Sequence, residues 1–151
     1  MLEYLTESYD NNKYVSKTNK KYLVKHNWCI GKITDSDVSI TNLNPCSDIY
    51  SDLYIGLARA DEILEASIEN ECKTIFNTAC TNYNYFFDID SGWTLNAIQE
   101  KTDRVMYSSH GTIYNKKASD YSTIRPVINI NSNVLYASGE GTEANPYTIG
   151  E

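Results

Sequence analysis

The chain has 151 residues and a formal net charge of −7, with 13 tyrosines against only 3 phenylalanines. This length fits one domain over residues 1–151, with a poorly defined N-terminal segment at residues 1–21. The acidic balance argues against a nucleic-acid partner, because neutralising phosphates needs clustered Lys and Arg. No apolar run of about 18 residues occurs, so we expect no membrane span in this chain.

The first half of the chain predicts few regular elements. Its first 20 residues are polar, with weak strand character at best. Residues 22–30 (YLVKHNWCI) predict a strand that Gly31 ends, and residues 32–51 predict a loop. Residues 53–57 form a short apolar run that suits a buried strand.

Residues 60–67 carry the strongest helix signal, because Ala60, Ile63 and Leu64 share one helical face. The last third predicts short strands at residues 93–95, 104–108, 112–114 and 124–130. A tight turn at residues 109–111 joins the middle two of these strands. The fold class is therefore α+β, with an early helix and a twisted antiparallel sheet formed mainly by the last 60 residues.

Four cysteines, an even number, lie at Cys29, Cys46, Cys72 and Cys80. No pair has CxxC spacing, so a zinc site needs four scattered cysteines to converge. Buried free thiols are a further alternative. We favour two disulfides, Cys29–Cys46 and Cys72–Cys80, because each closes a short polar segment that lacks apolar anchors. Disulfides imply an oxidising compartment, so we expect an extracellular or cell-surface protein.

Several motifs of the last third, in chain order, carry a resemblance. They are WTL at 93–95, RVMY at 104–107, GTI at 111–113 and IRPVI at 124–128. This order is similar to the C-terminal half of the C-type lectin-like fold, in the branch of formylglycine-generating-enzyme-like proteins and diversity-generating-retroelement variable proteins.

Further motifs extend the resemblance over residues 28–149: WCIG at 28–31, YIGLARADE at 54–62 and GEGTEANPY at 139–147. Together they resemble bacterial surface proteins, some of which carry a type IV pilin-like N-terminal helix that is not seen in this sequence. The resemblance implies loops that present a binding face on a rigid sheet, without implying a shared ligand. The Glu-Pro-Asn and Trp-Asn-Asp motifs of animal C-type lectins are missing, so calcium-dependent sugar binding is not implied.

Tyrosines near the predicted hairpin and neighbouring loops are the candidate ligand-binding residues: Tyr83, Tyr85, Tyr107, Tyr114 and Tyr121. Exposed tyrosines give rigid contact area at a low cost in conformational entropy. By contrast, Trp28 and Trp93 are expected to be core anchors.

Other candidate sites have plain structural interpretations. Asp88 and Asp90 resemble the opening of a calcium loop, but Gln99 stands where an EF-hand needs glutamate. Arg125 is expected to pair with Asp61 or Glu62 rather than with a ligand. We assign no metal and no cofactor.

The chain is not expected to be an enzyme. Formylglycine-generating enzymes use a reactive cysteine pair in the C-terminal half, whereas all four cysteines here precede residue 81. The function expected from the sequence is therefore a non-catalytic recognition or adhesion module for a protein or glycan. Alternatives are a subunit of a surface filament, with an anchoring helix upstream, and a phage receptor-binding protein. The oligomeric state is left open.

Overall fold

The computed structural model describes residues 1–34, 46–67, 69–77, 92–109, 112–140, 142 and 144–150. Two α-helices and ten strands are found in these ranges. The α+β class predicted from the sequence is confirmed, and strands account for most of the regular structure.

The largest sheet has five strands in the order β3-β2-β5-β6-β7. Their bounds are β2 His26–Ile33, β3 Cys46–Leu53, β5 Gly92–Ile98, β6 Lys101–Ser109 and β7 Thr112–Lys117. All neighbours are antiparallel except β2 and β5, which run parallel from Gly31↔Asn96 to Ile33↔Ile98. The last 60 residues supply three of its five strands, as expected, but the parallel pairing of β2 with β5 differs from the expected antiparallel sheet.

Two smaller sheets use the remaining strands. In the first, β8 (Pro126–Ile130) lies between β1 (Leu23–Val24) and β4 (Ile55–Leu57), and both pairings are antiparallel. In the second, β9 (Leu135–Ser138) pairs antiparallel with β10 (Thr148–Gly150). The strand predicted at residues 124–130 is present as β8, but it belongs to the first of these smaller sheets and not to the five-stranded one formed by the other predicted strands of the last third. Pro126 begins β8, the place in a strand where a missing N–H is tolerated.

The N-terminal segment forms a helix, α1 (Leu2–Asp10), and the weak strand character predicted there is wrong. Leu2, Leu5 and Tyr9 recur at helical spacing and are buried on one face. The Tyr9 ring stacks on Tyr54, with 5.0 Å between the ring centroids. This face joins a core cluster that includes both Trp28 and Trp93. The predicted core positions of the two tryptophans are confirmed, since each is 6% exposed.

The second helix, α2 (Ala60–Glu65), packs in a second core cluster. Ile63 and Leu64 are buried, in agreement with the predicted apolar face. Their cluster includes Ile33, Ile98, Met106 and Ile113. The helix begins where Glu62 Oε2 accepts a hydrogen bond from the backbone N–H of Arg59 at 2.8 Å, which satisfies an N–H at the helix start.

Strand β3 lies where the sequence predicted a loop. Seven of its eight residues, from Cys46 to Asp52, are exposed, so no apolar alternation marks it in the sequence. Pairing with β2 and a disulfide between Cys29 and Cys46 hold it at the sheet edge. The predicted strand end at Gly31 is also wrong, because β2 continues through Gly31 to Ile33.

Candidate functional site

Three of the five predicted tyrosines lie among the described residues. Tyr107 in β6 and Tyr114 in β7 are directly opposite each other in the antiparallel ladder, and Tyr121 follows β7. Tyr83 and Tyr85 lie outside the described residues. We use the name tyrosine corner for Trp93, Tyr107, Tyr114, Lys116 and Tyr121.

Three aromatic rings of the tyrosine corner form a ladder across three strands. Trp93 and Tyr107 meet edge to face with 5.3 Å between ring centroids, and Tyr107 and Tyr114 do so at 5.1 Å. Edge-to-face pairs of this kind add to the stability gained from burial alone. The outer ring of the ladder, Tyr114, is therefore held in a fixed orientation.

The structure corrects the expected exposure of Tyr107. This side chain is only 5% exposed and belongs to the core cluster of Trp93 and Leu95. Successive side chains of a strand point to opposite faces, and both faces of β6 are covered, so Met106 is buried on the other side. Tyr107 therefore packs beneath the other residues of the tyrosine corner and offers little contact area to a ligand.

Tyr114 is half-buried, and its environment is less polar than water. Burial raises the pKa of the Tyr114 phenol, with a smaller contribution from neighbouring Tyr107. The phenol also hydrogen-bonds to the side chains of Tyr107 and Ser109, which fixes its position.

Lys116 contacts both the aromatic ladder and the exposed chain segment at Tyr121. Its ammonium lies 4.9 Å from the centre of the Tyr107 ring, within range of a cation–π interaction, and donates to the backbone carbonyl of Tyr121 at 3.1 Å. The backbone carbonyl of Thr123 accepts from the N–H of Trp93 at 3.2 Å. These bonds fix the chain around Tyr121, whose own side chain is fully exposed (100%).

Lys116 was not among the predicted site residues, although the sequence contains a signal for it. It stands two residues after Tyr114 on the same strand, and side chains two apart share a face. Two lysines near the N-terminus behave similarly, since Lys20 lies over the ring of Tyr9 and Lys25 over the ring of Tyr54. Tyrosine rings thus serve as partners for lysines at several places in this acidic chain.

The predicted disulfide Cys29–Cys46 is present, with a Cα–Cα distance of 5.3 Å. This distance lies in the ordinary range for disulfides. Cys72 is buried and is also disulfide-bonded. Its predicted partner, Cys80, lies outside the described residues.

The ion pair expected between Arg125 and Asp61 or Glu62 is replaced by another. Arg59 pairs with Asp61, and Glu62 caps the backbone of Arg59. The aliphatic stem of Arg125 instead lies against Gly92, where an added Cβ would come within 3.2 Å of Arg125 Cδ.

Asp88, Asp90 and His110 lie outside the described residues, and the ranges that the structure does describe contain no cluster of metal-ligating side chains. No helix in those same ranges is both long and apolar enough to cross a membrane.

Comparison with known proteins adds no relative from which a function could be carried over. The chain matches no family model, no curated protein and no solved structure.

Proposed function

We propose that this chain is a non-catalytic recognition module of the cell surface or extracellular space that binds a protein or glycan through its tyrosine corner. The observation that carries this proposal is the fully exposed ring of Tyr121 beside a fixed aromatic ladder. The Cys29–Cys46 disulfide supports an oxidising location. Within the α+β class, we propose the C-type lectin-like fold that the ordered motifs resemble.

The cost of holding an aromatic ring in water favours an interface role for Tyr121. A large apolar ring gains free energy when a partner covers it, and its phenol can hydrogen-bond at the same time. Tyrosine loses little rotamer entropy on binding, which makes it a frequent anchor of recognition surfaces. The backbone bonds from Lys116 and around Thr123 reduce that entropy cost further, because this segment is already ordered.

Two further groups of the tyrosine corner determine which kind of partner it favours. The half-buried phenol of Tyr114, already bonded to Tyr107 and Ser109, can accept a further hydrogen bond from a partner, and the ammonium of Lys116 adds a positive charge within a chain of net charge −7. Such a local cation favours a partner with carboxylates or many hydroxyl groups at this point. Both peptides and acidic glycans present groups of this kind.

The test is binding of the wild-type chain to a glycan array and a cell-surface protein array, with and without EDTA. We expect Tyr121→Ala to weaken the strongest signal at least tenfold, which corresponds to about 1.4 kcal/mol. The matched control is Tyr147→Ala, because Tyr147 is another exposed tyrosine and lies outside the tyrosine corner. Equal loss in both variants, or no loss in Tyr121→Ala, would exclude the tyrosine corner as the binding surface.

A further inference from the structure

A cleft of about 380 Å³ opens beside α2, between β2, β4 and β8. Its volume lies in the range of small-ligand sites and holds about a dozen water molecules. No residue of the tyrosine corner lines it. It is therefore a second concave surface whose chemistry can be considered separately.

The apolar wall of this α2 cleft is formed by Leu57, Ile63, Leu95 and Val127 together with Trp28, whose indole is only 6% exposed and is fixed on several sides. Its Nε1 donates to the backbone carbonyl of Leu53 at 3.0 Å, and His26 meets the ring edge to face at 5.5 Å between centroids. Gly56 lies so close that an added Cβ would come within 2.3 Å of the ring atoms. The indole is therefore held in one position, and it would stay there when a ligand packs against the part that lines the cleft.

The polar part of the α2 cleft is mixed in character. His26 contributes an imidazole and Asn129 a carboxamide, each able to donate and to accept. Glu62 adds a carboxylate, whose Oε2 is bound to the backbone of Arg59 and whose Oε1 is a further acceptor. A ligand with several hydroxyl groups matches this set, because every hydroxyl also donates and accepts.

The charges around the α2 cleft disfavour an anionic ligand. Arg59 lines the cleft, but its Nε and Nη2 are engaged by Asp61. The hydrogen bonds that Arg59 donates to Asp61 raise the pKa of Arg59 most strongly, and the charges of Asp61, Glu62 and Glu65 raise it further. Phosphate or carboxylate groups would meet this excess of negative charge without a bidentate arginine to hold them.

We infer that the α2 cleft binds a neutral sugar unit, with its apolar face on the apolar wall of the cleft and its hydroxyl groups on His26, Asn129 and Glu62. An apolar wall beside a few convergent polar groups is the usual composition of a small-ligand site. This site is independent of the tyrosine corner, and either one can exist without the other.

The test is a titration of the whole wild-type chain with glucose, galactose, mannose and N-acetylglucosamine, followed by ligand-observed NMR and indole N–H shifts. Inorganic phosphate and citrate are the comparison ligands. We expect saturable binding of at least one sugar, and weaker or undetectable binding of both anions. No saturable sugar binding, or tighter binding of an anion, would overturn the inference.

Two variants locate the binding without changing the core. Ala66 is an exposed residue of the cleft wall, so Ala66→Phe should fill the cleft and reduce sugar affinity at least tenfold. Asn129→Ala removes one polar group and should reduce affinity about three- to tenfold. Glu65→Gln on the same helix and Tyr147→Ala, which lies outside both proposed surfaces, are the controls, and both should bind as wild type. Near-UV circular dichroism confirms that each variant is folded. Unchanged binding in Ala66→Phe, or an equal loss in Tyr147→Ala, contradicts the assignment.

Discussion

Replacing both Cys29 and Cys46 by serine should lower the free energy of unfolding by about 3 kcal/mol. The disulfide joins residues with a sequence separation of 17, and for a closed loop of that length restriction of the unfolded chain corresponds to about 3 kcal/mol at 25 °C. Cys46 is exposed and Cys29 is half-buried, so serine adds little cost from buried polar groups. The crosslink itself therefore accounts for most of the expected loss.

Urea unfolding of the wild-type and C29S/C46S chains, followed by tryptophan fluorescence, measures this difference. With a urea slope of about 2 kcal/mol/M, the midpoint should fall by roughly 1.5 M, and the slope should rise because the unfolded chain is less restricted. Ser47→Ala in the same strand is the control for local disturbance of β3. A loss below about 1 kcal/mol, or an equal loss in the control, would refute the crosslink argument.

Three further predictions concern the core and the N-terminal helix. Gly56→Ala should lower stability by about 1–3 kcal/mol in urea unfolding, because the new Cβ overlaps the Trp28 ring; an unchanged midpoint contradicts it. Leu5→Ala should cost about 2–5 kcal/mol in the same assay, because Leu5 is 0% exposed, and a loss below about 1 kcal/mol would mean that α1 is not part of the core. Tyr4 should ionise early in an ultraviolet titration, because its hydrogen bond with Lys13 lowers the phenol pKa from 10.0 to about 8. The stabilising effect of the Tyr4–Lys13 pair is complete above the pKa that Tyr4 has in the unfolded chain, and it is lost as the pH falls through about 8. The Lys13→Met variant should return the pKa of Tyr4 toward 10.0.

The strands and the helix that sequence reasoning found are those with buried apolar side chains. Residues 93–95, 104–108 and 112–114 fall inside β5, β6 and β7, and the predicted helix at residues 60–67 contains α2. In each of these elements, the spacing of apolar residues in the sequence matches the burial in the structure. A short window of sequence is therefore sufficient to predict the element.

The missed elements depend on partners that lie far away in the chain. Strand β3 is exposed along nearly all its length, so only its pairing with β2 identifies it. In α1, three buried side chains recur at helical spacing but stand among polar residues, which obscured the pattern. The membership of β8 in the smaller sheet is likewise set by its contacts with β1 and β4. Tertiary contacts, rather than local propensity, determine the structure of β3 and α1 and the position of β8.

The candidate site was predicted in part. The sequence identified tyrosines near the β6–β7 hairpin, and Tyr121 is indeed exposed. The sequence does not reveal that Tyr107 is covered, because the alternation in β6 is the same whichever face meets the core. Lys116 was missed because its importance lies in its distance to the Tyr107 ring and to the carbonyl of Tyr121.

The two proposed binding surfaces share one structural support. Trp93 is the buried member of the tyrosine corner and Trp28 lines the α2 cleft, and both indoles belong to the same core cluster as Leu5 of α1. The Tyr121 ring and the Glu62 carboxylate, which are both expected to contact ligands, lie outside that cluster and are exposed. A substitution at one surface should therefore change one binding activity and leave stability intact. A substitution at Leu5 should weaken both activities together, because it loosens the cluster that fixes both indoles.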